Sequence, residues 1–142
     1  MDPNANPSPV VSTLLQEVTV ALDRLLREGE GAIIDLTGQA FLGDEEREEL
    51  HARLGEGEVS ATVEALGPTE VVETAYPGVW WVTYWNDRGE VVAERLEIAR
   101  LPGILAAQDA DIRSGIQQLL AELPEAAPKE AEAGPRFRWL ED

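Results

Sequence analysis

From position 58 the apolar residues begin to recur at every second position, and this change of period constrains the fold more than any other feature. In 58–65, valine and alanine alternate with polar side chains. The turn residues Gly67-Pro68, Pro77-Gly78 and 86–89 divide the region into predicted strands at 58–65, 69–75, 79–85 and 90–100. Because successive strands joined by short turns pair antiparallel, the region predicts an antiparallel sheet.

Apolar residues at helical spacing occur both before and after this region, and they predict helices there. Ser8, as N-cap, and Pro9 predict the start of a first helix that ends at Gly29. A short strand is predicted at 32–36, a second helix opens at Asp44 and covers 45–54, and Gly55 ends it.

A last amphipathic helix is predicted from 112 to 123, capped by Asp109 or Asp111. The predicted fold class is therefore α+β, with an antiparallel sheet of four to five strands covered by amphipathic helices. The first and last helices are expected to lie on the apolar face of the sheet.

The length of 142 residues fits one domain. Residues 1–8, rich in Pro, Asn and Ser, predict a flexible leader, and 9–123 predict the single domain. Residues 124–134 (PEAAPKEAEAG) predict a linker, followed by the aromatic tail RFRWLED. The tail residues Phe137 and Trp139 predict a recognition segment or an intramolecular clamp.

Charge limits the classes of partner. The chain has 28 Asp and Glu against 11 Lys and Arg, for a net charge of −17. Such a chain is repelled by nucleic-acid phosphates and anionic lipid, and suits a basic partner. No signal segment and no apolar run of about 20 residues is visible, so a cytoplasmic protein is expected.

Few residues can carry catalysis. The chain has no Cys and a single His, which excludes thiolate and iron–sulfur sites and weakens any triad. Glu48 and His51 have the Glu-x-x-His spacing of di-iron bundles, but one His cannot complete such a site in one subunit. The sequence therefore predicts no metal, no cofactor and no enzymatic activity.

The strand at 79–85 is the most aromatic segment. Trp80 and Trp81 point to opposite faces of a strand, so both faces carry an indole. Either both faces are covered, or one aromatic face binds a partner, since Trp and Tyr concentrate interface energy.

Three stretches give the chain a resemblance to a known family: LGEGEVSA at 54–61, TEVVETAYPGVWWV at 69–82 and ERLEIARLPGIL at 94–105. Together with IIDL at 33–36 they resemble the C-terminal conserved domain of the HupH hydrogenase expression/formation family (HyaF-type proteins). The resemblance covers about residues 30–123. Family members are typically longer, so this chain resembles a single-domain version.

The resemblance implies an accessory role in [NiFe] hydrogenase maturation, as a chaperone or scaffold for assembly. The implied partner is a hydrogenase subunit, the small iron–sulfur subunit before it joins the large one, and the family supplies no catalytic residues to carry over. Two other functions remain open: a structural subunit retained with the mature hydrogenase, and a small enzyme whose Trp residues bind a cationic ligand.

Two segments, 54–58 and 73–81, and the tail are predicted to contact the partner. The structural alternative is that Gly55 only caps a helix, Pro77-Gly78 only forms a turn, and one Trp belongs to the core. Homodimerisation through an edge strand or the tail stays open. The predicted contact residues are Leu54, Glu56, Gly57, Glu58, Glu73, Tyr76, Pro77, Gly78, Trp80, Trp81, Phe137 and Trp139.

Overall fold

The computed structural model describes residues 5–38, 42–64 and 67–124. The chain divides into two compact units, one up to Leu105 and one from Ala106 onward. The described part of the second unit contains helix α3 (Asp109–Glu122). The described part of the first contains helices α1 (Pro9–Glu28) and α2 (Asp44–Leu54), strands β1 (Ala32–Asp35), β2 (Ser60–Glu64), β3 (Pro68–Glu73), β4 (Val79–Trp85) and β5 (Val91–Ile98), and a 3₁₀ turn (Gly103–Leu105).

The five strands form one sheet in the order β1-β5-β4-β3-β2, and all neighbours are antiparallel. The predicted α+β class with an antiparallel sheet is confirmed. Trp81 lies between Val72 and Leu96, whereas Val82 lies between Val71 and Arg95. We call the face that carries Trp81 the front face and the face that carries Trp80 and Val82 the back face.

Helices α1 and α2 cover the front face. Leu50 and Leu54 of α2 are fully buried in the same cluster as Trp81 and Leu96. Burying one such side chain stabilises the fold by roughly 1.5–3 kcal/mol. The helix α1 contributes one stripe of buried residues to this cluster, at Val11, Leu14, Val18, Ala21 and Leu25.

A smaller cluster lies on the back face. Val71, Trp80 and Val82 are buried there, with Tyr84 and Leu105 packed against them. Leu105 ends the 3₁₀ turn after β5, so the segment that follows β5 covers this face. The two clusters explain why β4 is apolar on both sides.

The helix termini differ in part from prediction. Gly29 ends α1 as expected, and its N–H donates to the Leu25 carbonyl at 2.9 Å. Ser8 occupies the N-cap position, but its hydroxyl makes no capping bond. The predicted cap of the last helix is wrong, because α3 begins at Asp109 and Gln108 is its N-cap.

Candidate functional site

The two segments predicted to contact a partner lie side by side. The Gly57 N–H donates to the Glu73 carbonyl at 2.7 Å, and the Glu58 N–H donates to Glu73 Oε1 at 3.2 Å. The Ala75 N–H donates to the Leu54 carbonyl at 2.9 Å. Residues 54–58 and 73–76 therefore form one continuous region of the surface.

Gly57 is required for this contact. A Cβ at position 57 would lie 2.5 Å from the Thr74 carbonyl oxygen and 2.7 Å from Glu73 Oε1. Real Cβ atoms are not found so close to a backbone oxygen. Gly57, a predicted partner contact, therefore allows a close backbone approach within the same chain.

The turn between β3 and β4 is fixed by its own hydrogen bonds. The buried Thr74 hydroxyl donates to the Val79 carbonyl at 2.9 Å and accepts the Tyr76 N–H at 3.2 Å. The Val79 N–H donates back to the Tyr76 carbonyl at 3.0 Å. This network presents Tyr76, which is 52% exposed, and the exposed Pro77 at the tip of the turn.

A groove runs between this turn and the C-terminal half of α1. Gly78 has φ +93°, and a Cβ there would lie 3.1 Å from Leu22 Cδ2, so the turn packs directly on the helix. Leu26, at the side of the groove, is 74% exposed. The groove has a volume of about 470 Å³ and is lined by Leu22, Leu25, Leu26, Glu73, Pro77, Gly78 and Arg100.

The expectation that Trp80 or Trp81 is exposed is wrong. Trp80 is 4% exposed, and its indole N–H donates to the Ala99 carbonyl at 2.9 Å under the segment that covers the back face. Trp81 is 5% exposed, and its indole N–H donates to Glu94 Oε2 at 2.9 Å on the front face. Each indole has both its ring buried and its polar atom satisfied, as core tryptophans require.

The other predicted contact residues divide into three groups. Leu54 is buried in the front-face core, and its contribution to this region is the backbone carbonyl that accepts the Ala75 N–H. Glu56, Gly57 and Glu58 are exposed beside Glu73. Phe137 and Trp139 lie outside the described residues.

Sequence reasoning missed Leu26 and Arg100. Leu25 and Leu26 both fit the apolar helical spacing of α1 in the sequence, yet adjacent residues of a helix differ by about 100° in direction. Only Leu25 reaches the core, and Leu26 lies at the groove. Two adjacent leucines in a helix therefore indicate that one of them points away from the core.

A second groove lies beside the N-terminal part of α2. It has a volume of about 600 Å³, and its lining includes Glu45, Glu48, Glu49 and Arg53, with no aromatic side chain among the described residues that line it. His51 does not complete a site with Glu48, since its ring packs against Trp81 with centroids 4.8 Å apart. Within the described ranges, no group of three His, Cys, Asp or Glu is placed to hold a metal ion.

Residues 10–126 match the family model of the HupH hydrogenase expression protein, C-terminal conserved region. The chain belongs to this family. The match extends the resemblance seen in the sequence, which began at about residue 30, to include α1. In the part of the chain described by the structure, no helix is both long and apolar enough to cross a bilayer.

Two curated relatives and one solved structure share this region. The chain is 30% identical over 114 residues to the hydrogenase expression/formation protein HoxQ of Azotobacter vinelandii, covering 80% of this chain and 39% of HoxQ. It is 31% identical over 137 residues to HupQ of Azotobacter chroococcum, covering 87% and 47%. The chain thus spans less than half the length of these relatives.

The solved structure is the hydrogenase expression protein HupH from Thiobacillus denitrificans. It superimposes with a TM-score of 0.73 at 35% sequence identity. The superposition covers 82% of this chain and 98% of the HupH chain. The fold described above is therefore the fold of the family.

Proposed function

We propose that the chain is a non-catalytic chaperone in [NiFe] hydrogenase maturation, and that it binds the precursor of the small iron–sulfur subunit. The names of its relatives, hydrogenase expression and formation proteins, support the maturation role. The groove between α1 and the β3–β4 turn carries the binding role. The proposed place of this step is the cytoplasm.

Three properties of the groove suit recognition of a polypeptide. Its turn is held in one conformation by the Thr74 hydrogen bonds, so little ordering is needed on binding. Leu26, which lines the groove, is large, apolar and exposed, and the exposed aromatic ring of Tyr76 lies on the adjoining turn. Neither residue is needed to fill the core, which leaves both available to a partner.

Charge indicates what kind of segment fits. Glu73 and Arg100 line the groove, and the exposed Glu56 and Glu58 flank Gly57, which is bonded to Glu73, so carboxylates outnumber cations among these residues. The whole chain carries a net charge of −17. The groove therefore suits a client segment that combines apolar side chains with Lys or Arg.

The test replaces Leu26 by Asp and measures the affinity of the full chain for the purified small-subunit precursor. Interface hot spots cost about 2 kcal/mol or more when removed, so we expect affinity to fall by more than about tenfold. Val92→Asp is the matched control, because Val92 is also an exposed apolar residue but does not line the groove. Hydrogenase activity in cells lacking the native protein should fall with Leu26→Asp and not with Val92→Asp.

Three results would contradict the proposal. An unchanged affinity with Leu26→Asp would remove the groove from the binding site. Binding to the large subunit but not to the small-subunit precursor would make the client assignment wrong. Copurification with active, mature hydrogenase would instead favour a retained structural subunit. Thermal unfolding of both variants separates loss of binding from loss of fold.

A further inference from the structure

The strand β1 forms one edge of the sheet. In the described part of the first unit, its only strand neighbour is β5. The Leu36 N–H donates to the Glu94 carbonyl at 2.9 Å, which fixes the residues whose backbone groups point to β5. Because this direction alternates along an antiparallel strand, Ala32, Ile34 and Leu36 point inward and Ile33 points its N–H and C=O outward.

The side chains beside this edge are apolar and exposed. Ile33 lies on the back face opposite Glu97 and is 56% exposed. On the front face, a groove of about 450 Å³ separates α1 from β1, and the apolar part of its lining is Val20, Ala21, Ala32 and Ile34. Val20 is exposed. An edge with an outward backbone and apolar side chains on both faces is suited to pairing with another strand.

The opposite edge has a different character. In β2, Ser60, Thr62 and Glu64 are exposed, and Glu58 precedes the strand. The Glu73 carbonyl accepts from the Gly57 N–H, whereas the Glu73 N–H donates to the Val59 carbonyl, so the pairing is irregular just before β2 begins. Charge and irregular pairing are the features that keep an edge strand from associating.

We infer that β1 is the contact through which two copies of this chain form a symmetric dimer, joined as one continuous sheet. The residues of β1 complement themselves about a two-fold axis at Ile33. There, Ile33 of each copy lies opposite Ile33 of the other, and the two exchange both backbone hydrogen bonds. Ala32 faces Ile34 of the second copy on the front side, so small opposes large.

The charge within β1 does not oppose a second copy in this register. Asp35 is the charged residue of β1, and it lies opposite Gly31 of the second copy, which has no side chain. No like charges therefore meet directly across the pair. The two front-face grooves lie on the same side of the continued sheet.

The test is sedimentation of the 142-residue chain over a concentration series. We expect a concentration-dependent shift from the monomer mass of 15.5 kDa to twice that mass. Ile33→Lys should raise the dimer dissociation constant by more than about tenfold. Val59→Lys is the control, because Val59 is also exposed, at 45%, but adjoins the opposite edge, and it should leave the dimer intact.

Any of the following results would overturn the inference. One is a chain that stays monomeric throughout the series. Another is a dimer that Ile33→Lys leaves unchanged or that Val59→Lys also disrupts. Should Ile33→Lys unfold the chain, Val20→Lys on α1 tests the same contact without altering the strand, with retained dimer again contradicting the inference.

Discussion

At the scale of single residues, Gly57 and Gly78 are needed for different reasons. Gly78 combines φ +93° with close packing on Leu22, so both its conformation and its lack of a side chain matter. At Gly57 the obstacle is the carbonyl oxygen of Thr74, a backbone atom that cannot rotate away. Both glycines shape the candidate site by allowing neighbouring segments to approach.

We predict that Gly57→Ala lowers the free energy of unfolding by roughly 1–3 kcal/mol, the usual cost of overpacking. The added Cβ must displace the 73–76 segment, because it would lie 2.5 Å from the Thr74 oxygen. Gly103→Ala is the control, since a Cβ there meets no atom within 4 Å. Urea denaturation measures the free energy of unfolding of both variants. Equal values would show that the 73–76 segment can move away from position 57 at no measurable cost.

At the scale of elements, the start of α1 is fastened to α2. The Ser8 N–H donates to Glu49 Oε2 at 3.0 Å, and Arg53 donates to the Ala5 carbonyl at 2.7 Å. The hydrogen bond from Ser8 lowers the pKa of Glu49 below its ordinary value, with a smaller contribution from the charge of Arg53. The carboxylate form of Glu49 therefore holds the two helices together.

This contact predicts a pH dependence. A carboxylate whose pKa is lowered by folding stabilises the fold above its unfolded pKa of about 4.3, and the contribution is lost as pH falls through the folded pKa. We expect Glu49→Gln to be less stable than the native chain at pH 7, and the difference to shrink as pH falls below about 4.

Chemical denaturation at pH 7 and at acidic pH measures this difference. Glu48→Gln is the control, because it removes the same charge from the neighbouring position of α2. A difference that stays constant with pH, or one that Glu48→Gln reproduces, would show that the Ser8–Glu49 bond does not stabilise the fold.

Strand β4 shows what sequence pattern could and could not predict. Alternation in 58–65 and the turn residues were enough to predict the antiparallel sheet, since these signals are local. The burial of both Trp80 and Trp81 could not be predicted in this way, because a strand that is apolar on both sides does not reveal what covers each face. The cover of Trp80 is the irregular segment after β5, which has no periodicity to recognise.

At the scale of the whole molecule, the candidate site arises from contacts distant in sequence. The resemblance singled out 54–61 and 69–82, but not their contact through Gly57 and Glu73, and it did not include Leu26. Helix α1 forms one wall of the groove, and its position there is determined by contacts with residues that are distant in sequence. Predicting that wall requires the relative position of α1 and the turn, which no local pattern encodes.

The net charge of −17 gives the two proposed contacts opposite responses to salt. Raising NaCl from 0.1 M to 1 M shortens the screening length from about 10 Å to about 3 Å. Binding of a basic client segment beside Glu56, Glu58 and Glu73 should weaken, because attraction between opposite charges is screened. Association through Ile33 should strengthen, because the repulsion between two acidic chains is screened while the apolar contact is retained.

Client titration and sedimentation at both salt concentrations measure the two responses. Client affinity that does not change with salt would exclude the acidic residues from recognition, and a dimer weakened by salt would indicate a charged contact rather than the β1 edge.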